Sequence, residues 1–266
     1  MSFDLREVEA GLAATGFAGH ISHFATVGST STLALEAAQA GARTGVWVAD
    51  EQTAGRGRGG HGWHSIAGDS LYVSALVTPP LPITMALWIS LATGLAAKQA
   101  IQQIAGVDAD IRWPNDLLIN GKKCGGILVE TAVTPAAEAR SEAMLRYAVI
   151  GMGINLNHKT FPDEIAPIAT SLRIENGAPV KREEILIMLL SSLETELHLL
   201  ANGHGDGLLE RVTGASTWVR GKRVHVEESG GYTGITAGLD ARGFLLVQGE
   251  DGVLHTVLSG GVRERL

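Results

Sequence analysis

Residues 52–63 read Gln52-Thr-Ala-Gly-Arg-Gly-Arg-Gly-Gly-His-Gly-Trp63, and five of these twelve are glycine. Glycine lets a backbone approach a ligand closely and turn its N–H groups toward an anion. Arg56 and Arg58 stand among the glycines, and a planar guanidinium bonds two oxygens of a phosphate or carboxylate at once. The expected chemistry is an anion-binding loop that wraps a phosphorylated ligand. The alternative is a solvated turn carrying two surface arginines. Gly55, Gly57 and Gly60 also match G-x-G-x-x-G, the dinucleotide fingerprint, but that fingerprint needs a following helix. Here His61-Gly-Trp-His-Ser-Ile-Ala-Gly68 has no helical apolar period. A Rossmann site is therefore not expected, nor a Walker A loop, whose Gly-Lys-Ser/Thr ending is missing.

Two more clusters carry chemistry. Ser29, Thr30 and Ser31 precede an Ala/Leu/Glu-rich run, where they either cap a helix or offer hydroxyls and free N–H groups to a ligand. Arg112-Trp-Pro-Asn-Asp116 is followed by Lys122-Lys123. Pro114 interrupts a regular strand and sets a turn that presents Asn115 and Asp116. A carboxylate, an amide, a lysine and two arginines together suit a nucleoside triphosphate with Mg²⁺: Asp116 for the metal, the cations for phosphate. Each cluster alone reads equally as a polar turn or a solvated hairpin tip.

The elements that must position these residues follow from periodicity. Residues 4–15 read as a helix ending before Gly16, 20–27 as a strand, and 29–40 as a helix stopped by Gly41. Residues 45–49 form a strand feeding the Gly/Arg loop, and 70–77 a second strand. A long helix fills about 84–104 after Pro79, Pro80 and Pro82. Asn120-Gly121 between apolar runs is a hairpin signal, with 125–133 as the return strand. Residues 134–143 read as an exposed loop, 145–156 as a buried strand, and 181–201 as a helix with Ile185, Leu189, Leu193 and Leu197 on one face. Hairpins mixed with helices argue for an α+β fold. After about residue 215 the pattern changes to short strands at 223–227, 233–237, 244–248 and 253–257, as in a small β-barrel. The expected division is 1–215 and 216–266.

The chain has 266 residues, 45% of them hydrophobic, enough for a sizeable core. A net charge of −7 speaks against a nucleic-acid binder. Cys124 is the only cysteine, so no intrachain disulfide is possible, in keeping with a reducing compartment. The acidic start, Met1-Ser-Phe-Asp-Leu-Arg-Glu, has no signal-peptide pattern. The apolar run 83–97 is too short and too polar to span a bilayer. A soluble cytoplasmic protein without membrane contact is expected.

Taken together the segments resemble the biotin protein ligases, the biotin–acetyl-CoA-carboxylase ligase family. The matching pieces are Ser29-Thr30, Gln52 to Arg58 with Trp63, Trp113-Pro-Asn-Asp116, Lys123-Cys-Gly-Gly-Ile-Leu-Val-Glu130, Gly151-Met-Gly-Ile-Asn155 and Ser259-Gly-Gly261. They cover nearly the whole chain in the family's order. The resemblance implies a catalytic domain with a mixed sheet, akin to class II aminoacyl-tRNA synthetases, followed by an SH3-like barrel. It implies that biotin and Mg-ATP give biotinyl-5′-AMP and pyrophosphate. The biotinyl group then passes to one lysine of a biotin carboxyl carrier protein. It implies that Ser29, Thr30, Gln52 and the backbone at Gly55 and Arg56 hold the biotin ring, with Gly125 and Gly126 lining its other side. Arg58 would clamp the adenylate, and Lys123 would sit by the biotin carboxylate and α-phosphate. Asn115 and Asp116 would serve Mg-ATP and orient the incoming lysine, with Trp63 and Asn155 at the adenine end.

The departures are Ser31 for the usual Asn, Arg112 for Lys, and Cys124-Gly125 for Leu-Ala. Cys124 is expected to be a packed residue rather than a nucleophile. Ser29 arrives after 28 residues, so the short, non-regulatory type without a DNA-binding domain is expected. Family members occur as monomers and dimers, and a homodimer is compatible with the sequence. A lipoate or octanoate ligase and a non-catalytic biotin-binding or repressor protein are the alternative readings. The Gly-Arg-Gly-Arg loop speaks against the first. The joint presence of Arg58, Asp116 and Lys123 speaks against the second.

Overall fold

A computed structural model describes residues 3–134, 142–259 and 261–265. The exposed loop expected at 134–143 falls mostly outside these residues, as does the middle of Ser259-Gly-Gly261. The first sheet has seven strands. It begins with β1 (Ile21–Val27), α2 (Thr30–Gln39) and β2 (Gly45–Gln52), preceded by a short helix α1 (Leu5–Gly11). β1 and β2 are parallel, so the connecting helix must cross over the sheet. That crossover sets the N-terminus of α2 beside the last residues of β2, where the Gly/Arg loop departs. β3 (Ser70–Val77) then pairs antiparallel with β2.

After β3 the chain forms α3 (Ala86–Ala105), whose apolar surface is almost wholly buried and which ends at Gly106 with φ 67°. β4 (Asp110–Arg112) and β5 (Asp116–Ile119) make a hairpin around Trp113-Pro-Asn, in which the Trp113–Pro114 peptide is cis. Asn120 (φ 51°) and Gly121 (φ 77°) turn the chain into β6 (Lys122–Thr134). Two consecutive positive φ values are what a two-residue hairpin requires. β7 (Met144–Asn155) returns between β3 and β6, giving the order β1-β2-β3-β7-β6-β5-β4.

Helix α5 (Arg182–Ala201) lies against α3, and the expected stripe Ile185, Leu189, Leu193 and Leu197 is buried. Each such side chain contributes about 1.5–3 kcal/mol relative to exposure. Two short helices, α4 (Leu172–Asn176) and α6 (Asp206–Ala215), are absent from the sequence reading. α4 is too short to show a period. α6 carries two glycines and buries only Leu208 and Val212 among its apolar residues. α1 is shorter than expected: its N-terminus is capped by Asp4, and beyond Gly11 Thr15 Oγ1 donates to Leu12 O, competing with a further helical turn.

The C-terminal residues form a separate antiparallel sheet: β8 (Arg220–Val226), β9 (Tyr232–Leu239), β10 (Leu245–Gly249), β11 (Leu254–Val257) and β12 (Val262–Glu264), in the order β11-β10-β9-β8-β12. It is tied to the first sheet by two indoles. Trp88 Nε1 on α3 donates to Arg242 O at 2.8 Å, and Trp113 Nε1 donates to Gly243 O at 2.9 Å. Among the described residues no helix is long and apolar enough to cross a membrane.

A polar knot braces the start of β2's exit. Asp50 Oδ1 accepts from Arg182 NH1 at 2.6 Å and lies 3.0 Å from His23 Nε2, which stacks on Phe3. Burial acts to raise the Asp50 pKa, but the hydrogen bonds and charges of His23 and Arg182 outweigh it. The carboxyl is held below its ordinary value of 3.8. A depressed folded pKa stabilises the fold fully above the unfolded value, and that contribution is lost as pH falls from 3.8 through the folded pKa. The Asp50→Asn variant is therefore expected to be less stable at neutral pH and to lose less on acidification below pH 4. Equal acid-unfolding profiles for variant and parent would refute this.

Candidate active site

The Gly/Arg loop folds back on itself as a small clasp. Gly57 N donates to His61 O at 2.7 Å and Trp63 N to Gly55 O at 3.0 Å, while Gly59 and Gly60 adopt φ of 63° and 78°. Its two arginines reach across the cleft. Arg56 makes a bidentate pair with Glu130 on β6 at 2.7 and 3.0 Å. Arg58 donates to Asn115 Oδ1 and to Ser259 O, each at 2.9 Å. Burial presses the Arg58 pKa below its ordinary value, with Asp116 and Glu228 acting the other way. The loop is therefore tied to the β4–β5 turn and to the C-terminal sheet at once.

Lys123 stands opposite. Its Nζ lies 2.5 Å from Asp116 Oδ1 and 5.4 Å from the centre of the Trp63 ring. The other Asp116 oxygen is held by Arg112, both through Nε at 3.2 Å and through NH2. Asn115 is fixed at both ends, accepting from Arg58 and donating Nδ2–H to Ile127 O at 2.8 Å. A charge-paired Asp116 between two cations holds Lys123 in place at the rim of the cleft. Lys123, Arg58 and Asn115 then face a space whose described lining residues include no carboxylate.

The floor is made of glycine. Gly126 pairs with Gly153, and Leu128 with Gly151, across β6 and β7. A Cβ on Gly153 would come within 2.6 Å of the Trp63 indole, and one on Gly126 within 3.0 Å. The indole thus lies flat on the floor, with Nε1 buried and without a hydrogen-bond partner. Gly153→Ala is expected to push Trp63 off the floor and to cost about 1–3 kcal/mol, the usual range for overpacking. Denaturant unfolding checks this, and an unchanged midpoint would show that the floor absorbs the methyl group.

At the far end of the cleft, α2 presents hydroxyls. Thr30 N and Oγ1 both donate to Gln52 Oε1, at 2.9 and 3.2 Å. Ser74 on β3 lies 2.8 Å from Thr30 Oγ1 and 3.0 Å from Ser31 Oγ. Ser29 occupies the N-cap position but makes no side-chain cap bond, and its buried Oγ has no partner. Plain capping does not explain it. The cleft runs between this hydroxyl cluster and the Arg58–Lys123 end.

Comparison with known proteins bears on this cleft directly. The model of the biotin/lipoate A/B protein ligase family matches residues 24–155, and that of the biotin protein ligase C-terminal domain matches 220–262. The bifunctional ligase/repressor BirA of Bacillus spizizenii is 33% identical over 261 residues, covering 93% of this chain and 75% of that protein. The chain belongs to the biotin/lipoate protein ligase family. The biotin–[acetyl-CoA-carboxylase] ligase of Mycobacterium tuberculosis is 34% identical over 229 residues, covering 83% of this chain and 80% of its own. Among solved structures, the biotin protein ligase of Aquifex aeolicus in complex with biotin and ATP superposes with a TM-score of 0.78 at 26% identity. That match covers 93% of this chain and all of the other. The family's fold is present here: a mixed catalytic sheet followed by an antiparallel C-terminal sheet.

Of the residues singled out from sequence, Thr30, Gln52, Arg56, Arg58, Trp63, Asn115, Lys123 and Gly126 line the cleft. Others do not. Gly125 is on the opposite face of β6, where a Cβ would meet Leu117 and the Gly153 carbonyl; strand alternation sends Gly126, not Gly125, into the cleft. Asn155 is buried, its Nδ2 donating to Thr170 O at 3.0 Å and its Oδ1 3.5 Å from Ser70 Oγ. Ser70 in turn lies 2.8 Å from His158 Nε2, and burial pushes that imidazole below its ordinary pKa despite Asp69. Cys124 is buried with its thiol pushed up to about 12, chiefly by burial, so it is inert packing as expected. Ser31, a candidate cap or ligand hydroxyl, also lines the cleft, and Leu128, Gly151 and Gly153 line it without having been assigned a role. The period-2 pattern on β6 points to Leu128 beside Gly126.

The Mg²⁺ expected at Asp116 does not fit this arrangement. Both carboxylate oxygens are occupied by cations, and the described residues hold no group of three or more potential ligands. Mg²⁺ typically keeps water and binds through substrate phosphates, so no protein ligand is assigned to it here.

Proposed function

We propose that this protein is an ATP-dependent biotin ligase that forms biotinyl-5′-AMP and transfers the biotinyl group to a lysine of a biotin carboxyl carrier protein. The observation that carries this reading is the two-ended cleft. A neutral hydroxyl and amide cluster at Ser29, Thr30 and Gln52 suits a small polar ring, and Arg58, Lys123 and Asn115 at the other end suit a carboxylate meeting a phosphate.

In the first step a carboxylate oxygen attacks the α-phosphorus of ATP and pyrophosphate leaves. Two anions approach each other, and Lys123 and Arg58 offset the charge that builds on the phosphoryl oxygens. In the second step the carrier's neutral lysine amine attacks the mixed anhydride, and AMP departs with the bonding pair. Lys123 remains beside the reacting carbonyl and stabilises its oxyanion. Asp116 orients Lys123, and Asn115 holds Arg58. Closure of the loop over the adenylate excludes water, which protects a hydrolysable intermediate.

Ser29, Thr30, Gln52 and the backbone at Gly55 and Arg56 bind the ring, with Gly126 on its other side. Trp63 serves the adenine end as its aromatic face. We read the catalytic unit, taken as 1–215, as related to class II aminoacyl-tRNA synthetases, and 216–266 as an SH3-like barrel. A cytoplasmic location, no contact with nucleic acid, and a monomer or homodimer belong to the same reading.

Pyrophosphate release from Mg-ATP and biotin, with and without a carrier domain and with lipoate as control acid, tests it. Release with biotin plus label on the carrier lysine is the expected result. Release with lipoate alone would move the protein to the lipoate branch. Tight biotin binding without release would make it a binding protein.

A further inference from the structure

The hydroxyls at the ring end of the cleft form a chain whose direction can be worked out. Thr30 N–H donates to one atom of the Gln52 amide at 2.9 Å, so that atom is the acceptor Oε1 and not the NH₂ group. Thr30 Oγ1 lies 3.2 Å from the same oxygen. An oxygen that can only accept obliges the threonine hydroxyl to spend its single proton on it. Ser74 Oγ, 2.8 Å from Thr30 Oγ1, must then be the donor of that contact. Its own proton is now used, so the 3.0 Å contact with Ser31 has Ser31 as the donor. The protons run one way: Ser31 to Ser74 to Thr30 to Gln52.

Ser31 lines the cleft and Ser74, fully buried behind it, does not. A Cβ on Gly151 would come within 2.5 Å of Ser31 Oγ, so that hydroxyl has a glycine-sized neighbour and little freedom to swing away. With its proton committed to Ser74, Ser31 offers a ligand only lone pairs. Gln52, whose oxygen is committed inward, offers only its N–H groups. The polarity of both groups is thus set from behind the wall.

We propose that Ser74 is a specificity-determining positioning residue: by accepting the Ser31 proton it makes Ser31 an obligate acceptor, which selects a ligand N–H at that point and rejects an oxygen. This rests on the biotin reading, in which the cyclic urea supplies two N–H groups and one carbonyl. A urea places an N–H against Ser31. A cyclic carbamate, in which oxygen replaces that N–H, sets lone pair against lone pair in a buried site.

The test is the ratio of dissociation constants by titration calorimetry for biotin and for the two carbamate analogues, each with one urea N–H replaced by oxygen. For the parent protein one of the two analogues is expected to bind at least about tenfold more weakly than biotin, since a buried polar group left unpaired costs that much or more. In Ser74→Ala the Ser31 proton is released and can turn toward the ligand oxygen. The biotin-to-carbamate ratio should then shrink about fivefold or more, whatever happens to absolute affinity. A general loosening of the pocket would weaken both ligands and leave the ratio alone. Thr30→Val breaks the chain one link further back, freeing the Ser74 proton for Ser31, and should compress the same ratio if Ser74→Ala does not fold. Biotin binding with an unchanged ratio in the folded variants would overturn the proposal and leave the ligase reading standing. No biotin binding by the parent protein would overturn both.

Discussion

Replacing Lys123 by alanine is expected to slow biotinyl-AMP formation by about 10²-fold or more, the usual loss when a fixed cationic stabiliser is removed from the reacting centre. The same substitution should slow transfer from preformed biotinyl-AMP to a comparable degree, because Lys123 serves both steps. Its loss also leaves Asp116 paired with Arg112 alone, so the net positive charge of the three groups beside the phosphates is cancelled. Single-turnover measurements of pyrophosphate release, and of carrier labelling from supplied adenylate, separate the two steps. A variant with near-parental rates in both would remove Lys123 from the chemistry. Lys123→Arg is expected to recover little, since a planar fork cannot occupy the place of a compact ammonium at 2.5 Å from Asp116.

Replacing Arg58 by alanine should act differently. Adenylate still forms, but it escapes. Arg58 bonds both the Asn115 turn and the Ser259 carbonyl. Without it the Arg56–Glu130 pair is the loop's remaining arginine tie across the cleft, and that partly exposed pair is worth at most about 1 kcal/mol. The expected signature is free biotinyl-AMP in solution and biotinylation of exposed lysines on bystander proteins, at roughly ten to a hundred times the parental level if 1.4–2.8 kcal/mol of retention is lost. Quantifying adenylate in the filtrate after ultrafiltration checks this. Parental retention would mean that the clamp lies elsewhere in the loop.

Legibility from sequence divided along a physical line. Features fixed by neighbours in the chain were readable. Asn120-Gly121 had to turn, the loop 52–63 had to be irregular, and the Ile185-Leu189-Leu193-Leu197 stripe had to be covered. Features fixed by strand order were not. Ser74 is an unremarked serine until β3 is placed between β2 and β7, against the first turn of α2. The Arg56–Glu130 pair joins residues 74 apart and the Arg58–Ser259 bond residues 201 apart, and no local pattern announces either. By sequence Asp116 suggests a metal ligand, because a carboxylate beside an expected triphosphate is usually free. The hairpin register instead brings Lys123 across to Leu118, within reach of it, and Arg112 closes from the other side. Gly125 and Gly126 look alike in sequence, which does not say which of two adjacent strand residues faces inward.

The two indole hydrogen bonds from Trp88 and Trp113 to the turn at Arg242-Gly243 imply something about how the chain can be divided. Val224, Val226, Leu245 and Val247 of the C-terminal sheet belong to the same continuous apolar cluster as Ile111, Trp113 and Ile127, which underlie the reactive cleft. The C-terminal strands are therefore part of the foundation of the catalytic face and not an appendage to it. Truncation near residue 215 would strip two tryptophans of their acceptors and open the cluster to water. Truncating the buried valines of that sheet would therefore weaken the support of the reactive face as well as the sheet itself.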